Sequence, residues 1–168
     1  MKEEINNIQM DRIEEIAGRA RTNGGSAPLE RKMEGTFSLT GSPMFSAHLD
    51  TPSSSYEEGS DEPALLGGRG VRPSPLTYML FGILSCFAST LAIQCSLHNI
   101  VLKNLRVKGQ LSYDVGPLVT DSEIPIMKEL RIDVISDNNL SGVVEEARRK
   151  CPALNAIEKP LKTVVAQI

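Results

Sequence analysis

The chain has 168 residues, with 18 Lys and Arg against 21 Asp and Glu and a formal net charge of −3. That length suits one compact core needing no disulfide or metal support, and 40% apolar with 23% charged residues excludes bulk disorder. Near-neutral charge leaves no footprint for duplex DNA or an anionic membrane, and a chain without Trp has little to stack on bases, so neither nucleic acid nor membrane is expected as a partner.

In chain order, residues 3–20 read as an amphipathic helix, with Ile5, Ile8, Ile13, Ile16 and Ala20 near one face and acids on the other. The start, Met1-Lys2-Glu3-Glu4, lacks the apolar stretch of a secretory signal. Thr22-Asn23-Gly24-Gly25-Ser26-Ala27-Pro28 is a flexible break. The expected organisation is therefore a helix and linker over 1–22 and a main domain over 23–168. Lys32–Leu39 and Met44–Leu49 read as a hairpin around Thr40-Gly41-Ser42-Pro43, followed by an exposed polar loop over 51–60.

From Pro73 to Leu102 there is no Asp, Glu, Lys or Arg. A run of that length can mark a membrane span. Here Thr77, Gly82, Ser85, Ser89, Thr90, Gln94 and Ser96 interrupt it, and alternating strand patterns flank it, so a buried helix of a soluble protein is the preferred reading. Ser74 is its N-cap with Pro75 at the first helical position, and the helix runs to about His98-Asn99. Gly82, Ser85, Cys86, Ser89 and Ser96 form a stripe of small side chains that admits a close neighbour, from this chain or another. Alternation then predicts strands over Asn104–Val115 and Lys128–Ile135, a second helix from Leu140 to Lys150, and a last edge strand at Leu161–Val165. The order ββ-α-ββ-α-β is an α+β pattern.

The three cysteines, Cys86, Cys95 and Cys151, are no secreted disulfide framework, and a reducing cytoplasmic setting is expected. Cys86 and Cys95 stand nine residues apart on one helix, hence on opposite faces and about 13.5 Å apart along its axis. A disulfide needs Cα atoms within about 7 Å, so these two cannot pair. Cys151, at the end of another element, is free to meet Cys86. A buried helix cysteine meeting a more exposed one could act as a peroxidatic and resolving pair, although free cysteines are commonly inert packing. His48 and His98, with no C-x-x-C or H-x-x-x-H, make no metal site. Gly67-Gly68-Arg69-Gly70 follows no strand and lacks the Lys-Ser/Thr of a phosphate loop, and reads as a turn.

Two stretches carry a resemblance. The first is Asp61-Glu62-Pro63, a glycine-rich loop, Pro73-Ser74-Pro75 and a helix reaching Ser85-Cys86. The second is a helix closing in Ala147-Arg148-Arg149-Lys150-Cys151-Pro152. Over roughly residues 33–166 the chain resembles the osmotically inducible protein C family (OsmC/Ohr). The resemblance implies an intertwined α+β homodimer with antiparallel sheets around a long central buried helix. It implies reduction of organic hydroperoxides, with Cys86 as the attacking thiolate, Cys151 as the resolving thiol, a dithiol reductant and no cofactor. The family's glutamate falls at Leu76 or Thr77, neither acidic, and its arginine near Met33, so this looks like a divergent branch. Arg31 and Arg69 are the candidate activating cations, with Lys32 and Arg72 close by. The alternative is a non-catalytic dimeric binding protein that keeps an apolar pocket and uses its cysteines for packing; thiol reactivity separates the two.

Overall fold

A 23-residue helix, α2 (Pro75–Leu97), dominates the computed structural model, which describes residues 4–159 and 161–167. The chain folds as two compact units. Arg19–Met79 forms one, and the remaining described residues form the other.

The Arg19–Met79 unit holds a three-stranded antiparallel sheet in the order β3 (Gly35–Phe37), β4 (Phe45–Asp50), β5 (Ser55–Ser60). The first hairpin lies where the sequence places it, closed by the Ser38 N–H donating to Met44 O at 2.8 Å. Its first strand is shorter than Lys32–Leu39. The polar loop expected over 51–60 is a correction: only Thr51–Ser54 turn, held by Thr51 N–H to Ser54 O at 2.7 Å, and Ser55–Ser60 pairs with β4 along its whole length. Ser-Tyr-Glu-Glu-Gly-Ser shows no apolar alternation, so backbone pairing with β4 overrides weak β-propensity.

At the end of β5 the buried Asp61 carboxylate accepts from the Ser42 hydroxyl, from the Met44 N–H at 2.8 Å, and from the N–H groups of Val71 and Arg72. These bonds, the Ser42 hydroxyl foremost, hold it below the usual carboxylate range against the opposing effect of burial. They fasten the first hairpin to the loop that leads into α2. A short 3₁₀ turn at Ala64–Leu66 precedes that loop. Gly68 must be glycine, because a Cβ there would strike the Glu62 backbone.

The second unit opens with a feature the periodicity does not show. The helix expected from residue 3, a position outside the described residues, begins only at Met10: α1 spans Met10–Thr22, with its last turn in the first unit. Before it, β1 (Glu4–Ile5) and β2 (Ile8–Gln9) form a tight hairpin with Asn6 and Asn7 at φ of 55° and 63°. Asparagine tolerates that left-handed backbone. The Asn6 amide donates to Ser96 Oγ (3.0 Å) and Ile100 O (2.8 Å), while its Oδ1 accepts from the Leu102 N–H (2.8 Å). Ser96 in turn donates to Ile5 O at 2.9 Å. The hairpin thus stitches the end of α2, and these long-range bonds outweigh the isoleucine spacing.

α2 starts as read, with Ser74 Oγ accepting from the Thr77 N–H at 3.3 Å, and stops two residues early, where Asn99 turns to a φ of 56°. Ile83, Phe87, Leu91, Gln94, Cys95 and Ser96 are buried along one face; Phe81 (70% exposed), Gly82, Ser85 and Ser89 lie open on another. By length and composition alone α2 could cross a membrane, a test that core helices of soluble proteins also pass. The helix lies against a two-stranded antiparallel sheet of β6 (Arg106–Tyr113) and β7 (Met127–Ile135), both close to their expected bounds. Between the strands is one turn of helix, α3 (Gly116–Val119). α4 (Ser141–Lys150) follows as read, and then α5 (Pro152–Glu158), which the sequence reading passed over. The edge strand expected at Leu161–Val165 is not present: residues 161–167 carry no regular structure, and Val164 and Val165 are 75% and 93% exposed. An alternating segment without a partner edge has no ladder to join.

The closest approach of helix to sheet is at Gly109, where a Cβ would lie 2.8 and 2.9 Å from the Leu84 methyls and 3.0 Å from Leu80. Gly109→Val is therefore expected to overpack the helix–sheet contact and cost about 1–3 kcal/mol. Urea unfolding measures it, and an unchanged midpoint would contradict the contact.

Candidate functional site

Sequence brings Cys86 and Cys151 no closer than 65 residues; the fold sets their sulfurs 3.6 Å apart, thiol against thiol. Cys86 sits at the midpoint of α2 and Cys151 at the corner where α4 ends and α5 begins. That corner is well fixed. The Cys151 N–H donates to Ala147 O at 2.8 Å, and the Asn155 amide donates to Arg149 O (2.8 Å) and Cys151 O (2.9 Å). Pro152, with no N–H to satisfy, opens α5 directly after the cysteine.

The accessibilities are the reverse of those expected: within this chain Cys86 is partly exposed and Cys151 is fully buried. The corner tucks the Cys151 side chain under α5, while Cys86 lies beside the open face of α2. Cys95, also fully buried, is remote from the pair by helix geometry, and burial pushes its thiol up.

The Cys86 thiol is raised above the ordinary cysteine value, first by its own burial, then by the adjoining Cys151. Two neutral donors oppose the rise, the backbone N–H of Ala153 and the hydroxyl of Thr90. The single Thr90 proton is shared between that sulfur and Cys86 O, 2.8 Å away, the usual acceptor of a helical threonine one turn back. Neither donor was singled out from sequence; a threonine four residues after the cysteine was the available signal. Arg31 and Arg69 belong to the Arg19–Met79 unit and are exposed there, with Arg31 donating to Glu30 O at 3.0 Å.

Beyond the sulfurs, α4 is tied to α2 by polar side chains. Lys150 Nζ donates to Gln94 Oε1 (2.9 Å) and Glu146 Oε1 (2.6 Å), and His98 Nε2 meets Glu146 Oε2 at 2.8 Å. Lys150 first, then His98, hold the Glu146 carboxyl at about 2. A cavity of about 400 Å³ lies between α2, β7, α4 and α5, walled by Phe87, Ile132, Val144, Leu154 and Ile157. A second apolar pocket of about 280 Å³, in the other unit, is lined by Met33, Phe45, Leu49, Pro75 and Tyr78, with the Tyr78 hydroxyl donating to Glu58 at its edge. Among the described residues no three His, Cys, Asp or Glu side chains gather as a metal ion would require.

The α+β fold is shared with solved structures of known proteins. An organic hydroperoxide resistance protein from Legionella pneumophila matches with a TM-score of 0.54 at 19% identity, over 77% of this chain and 91% of that one. An OsmC-like protein from Mycoplasma pneumoniae matches with 0.56 at 18%, over 77% and 89%. An organic hydroperoxide resistance protein from Elizabethkingia anophelis matches with 0.53 at 18%, over 77% and 90%. By sequence, no curated protein matches. The profile of the OsmC-like protein family matches residues 67–166, more than half of the chain and both Cys86 and Cys151. The chain belongs to the OsmC-like protein family.

The thiolate is the reactive form of cysteine. Because the folded value of Cys86 is raised, its thiolate fraction at neutral pH is below that of an ordinary cysteine and recovers only as pH rises. By the same sign, the stability linked to the neutral thiol is present below the unfolded value and is lost as pH climbs through the folded one. Iodoacetamide labelling of Cys86, followed by peptide mapping across pH, is expected to show a midpoint above that of a free cysteine peptide. A lower midpoint would mean a cation reaches the sulfur.

Proposed function

We propose that this protein is a thiol-dependent peroxidase that reduces organic hydroperoxides. The observation that carries the reading is the 3.6 Å contact between Cys86 and Cys151, placed in the two segments whose pattern resembles the family's. Cys86, the more accessible thiol, takes the distal oxygen of ROOH: the O–O bond breaks, ROH leaves with the proton, and Cys86 becomes a sulfenic acid. Cys151 condenses with it to a disulfide, and an external dithiol returns the two electrons. An apolar wall favours bulky alkyl or aryl peroxides over hydrogen peroxide, which gains little from it. Arg31 and Arg69 are the cations to test as activators of Cys86. Three free cysteines fit a reducing cytoplasm.

The open face of α2 carries the exposed Phe81 beside Gly82, Ser85 and Ser89, a surface on which a second copy of the chain can seat. We take the working state as a homodimer joined there. Phe81→Arg is expected to convert it to monomer in sedimentation; a wild-type protein that already sediments as a monomer overturns the assignment.

Two observations favour the binding-protein reading: the Cys86 thiol is raised, not lowered, and Leu76-Thr77 stand where the family's acid falls. The two readings part on one experiment. Reduced protein given one equivalent of cumene hydroperoxide is expected to lose two hydrogens, mapped to Cys86–Cys151, and Cys86→Ser is expected to abolish turnover. Three thiols left free would select the binding protein.

A further inference from the structure

The contact between the sulfurs is made by two elements distant in sequence, and something must register them. Asn155 fixes the shape of the α4–α5 corner but reaches only carbonyls of that corner. Apart from the Ala153 N–H on the Cys86 sulfur, the bond that ties the corner to α2 comes from the residue immediately before Cys151. Lys150 Nζ donates to Gln94 Oε1 at 2.9 Å. Gln94 is on the same helix as Cys86, two turns further on, and is 6% exposed. Among the described residues, Lys150 is the donor that satisfies its Oε1. Glu146, one turn back on α4, takes a second bond from the ammonium at 2.6 Å and is itself anchored at 2.8 Å by His98, just past the end of α2. The ammonium is thus held from two sides, and both thiols take their position from α2: Cys86 directly, Cys151 through its neighbour.

We propose that Lys150 is a positioning residue for Cys151, holding the α4–α5 corner on α2 at the height where the buried thiol faces Cys86. The inference rests on the proposed peroxidase reading and concerns its second step. In that step the Cys151 sulfur attacks the sulfenic sulfur of Cys86. The S–S bond forms, the S–O bond breaks, and the hydroxide leaves as water with the proton of the Cys151 thiol. The sulfurs must close from 3.6 Å to about 2.05 Å. Travel that short is available from side-chain rotation only while the corner stays in register. With the Lys150–Gln94 bond gone, the corner keeps only the Ala153 N–H on the Cys86 sulfur itself and, one turn back on α4, the Glu146–His98 contact just past the end of α2, so its register on α2 loosens and the sulfenic acid outlives its partner's approach.

The test is a competition within the full-length protein. Reduced protein receives one equivalent of cumene hydroperoxide in a fixed excess of dimedone, which captures sulfenic acid. Intact mass with peptide mapping reads the ratio of Cys86–Cys151 disulfide to dimedone adduct on Cys86. Lys150→Met is expected to move that ratio on the order of tenfold toward adduct, with the total of oxidised Cys86 unchanged. Lys150→Arg, which keeps a donor, is expected to restore the disulfide. Gln94→Met breaks the same bond from the other side and is expected to give the same shift, with the double variant no worse than either single one; should Lys150→Met not fold, Gln94→Met decides. A wild-type ratio in the variants overturns the inference and leaves the peroxidase reading standing. A wild-type protein with no oxidised Cys86 overturns that reading and the inference with it.

Discussion

Thirty consecutive residues without Asp, Glu, Lys or Arg, Pro73 to Leu102, are the constraint from which the rest of the structure follows. In water such a segment must hide an apolar face, and α2 buries Ile83, Phe87, Leu91 and Cys95 to 4% exposure or less. What covers it also serves it. β6 comes within contact distance only because residue 109 has no side chain. The N-terminal hairpin brings Asn6, whose three bonds take up the Ser96 hydroxyl in the last turn of α2 and the Ile100 carbonyl and Leu102 N–H in the segment that leaves it. Lys150 satisfies the Gln94 carbonyl in the middle of the apolar face. Every buried polar side-chain atom among the described residues has a partner. The position of Cys151 is a by-product of this cover, since the corner that carries it is part of what closes over the helix.

The elements legible in the sequence are those whose information is local. α2 carries its own cap at Ser74-Pro75 and its own apolar continuity, and β6, β7 and α4 carry clean periods. The misread elements owe their structure to partners. Ser55–Ser60 is a strand because β4 lies beside it. Glu4–Gln9 is a hairpin because Asn6 finds Ser96, Ile100 and Leu102, ninety or more residues away. Leu161–Val165 alternates like a strand and stays irregular because alternation states a preference that only an adjacent edge can realise. α5 is illegible for a different reason: seven residues that open on a proline give too short a window for helical periodicity.

The site divides along the same line. The motif contexts of Cys86 and Cys151 were readable, and so was the geometric exclusion of Cys95. Their relative exposure was not, because burial of Cys151 depends on a helix that the sequence reading did not contain. Nor were the groups that act on the Cys86 sulfur, a backbone N–H on α5 and a hydroxyl that any helix interior would accept as a packing residue. Arginines can be listed from a sequence; the neutral donors that reach a sulfur depend on the fold.

Neutral donors and a thiol neighbour set a different balance from an ion pair. A guanidinium beside a thiolate lowers its pKa at all times, and its effect is largest where water is excluded. At Cys86 burial works the other way, and the hydrogen bonds from Ala153 and Thr90 only soften it. Such a sulfur is slow toward a first electrophile. It is not slow to form a disulfide once oxidised, because that step asks for proximity rather than for a low pKa at Cys86, and the partner sulfur is already in contact. The geometry therefore favours the second chemical step of the proposed cycle over the first. Overoxidation of Cys86 would have to compete with a thiol 3.6 Å away, whereas capture of the peroxide must wait on the small fraction of thiolate or on a cation brought from elsewhere. The balance at this sulfur is thus set by burial and by the corner that carries Cys151 rather than by a neighbouring cation.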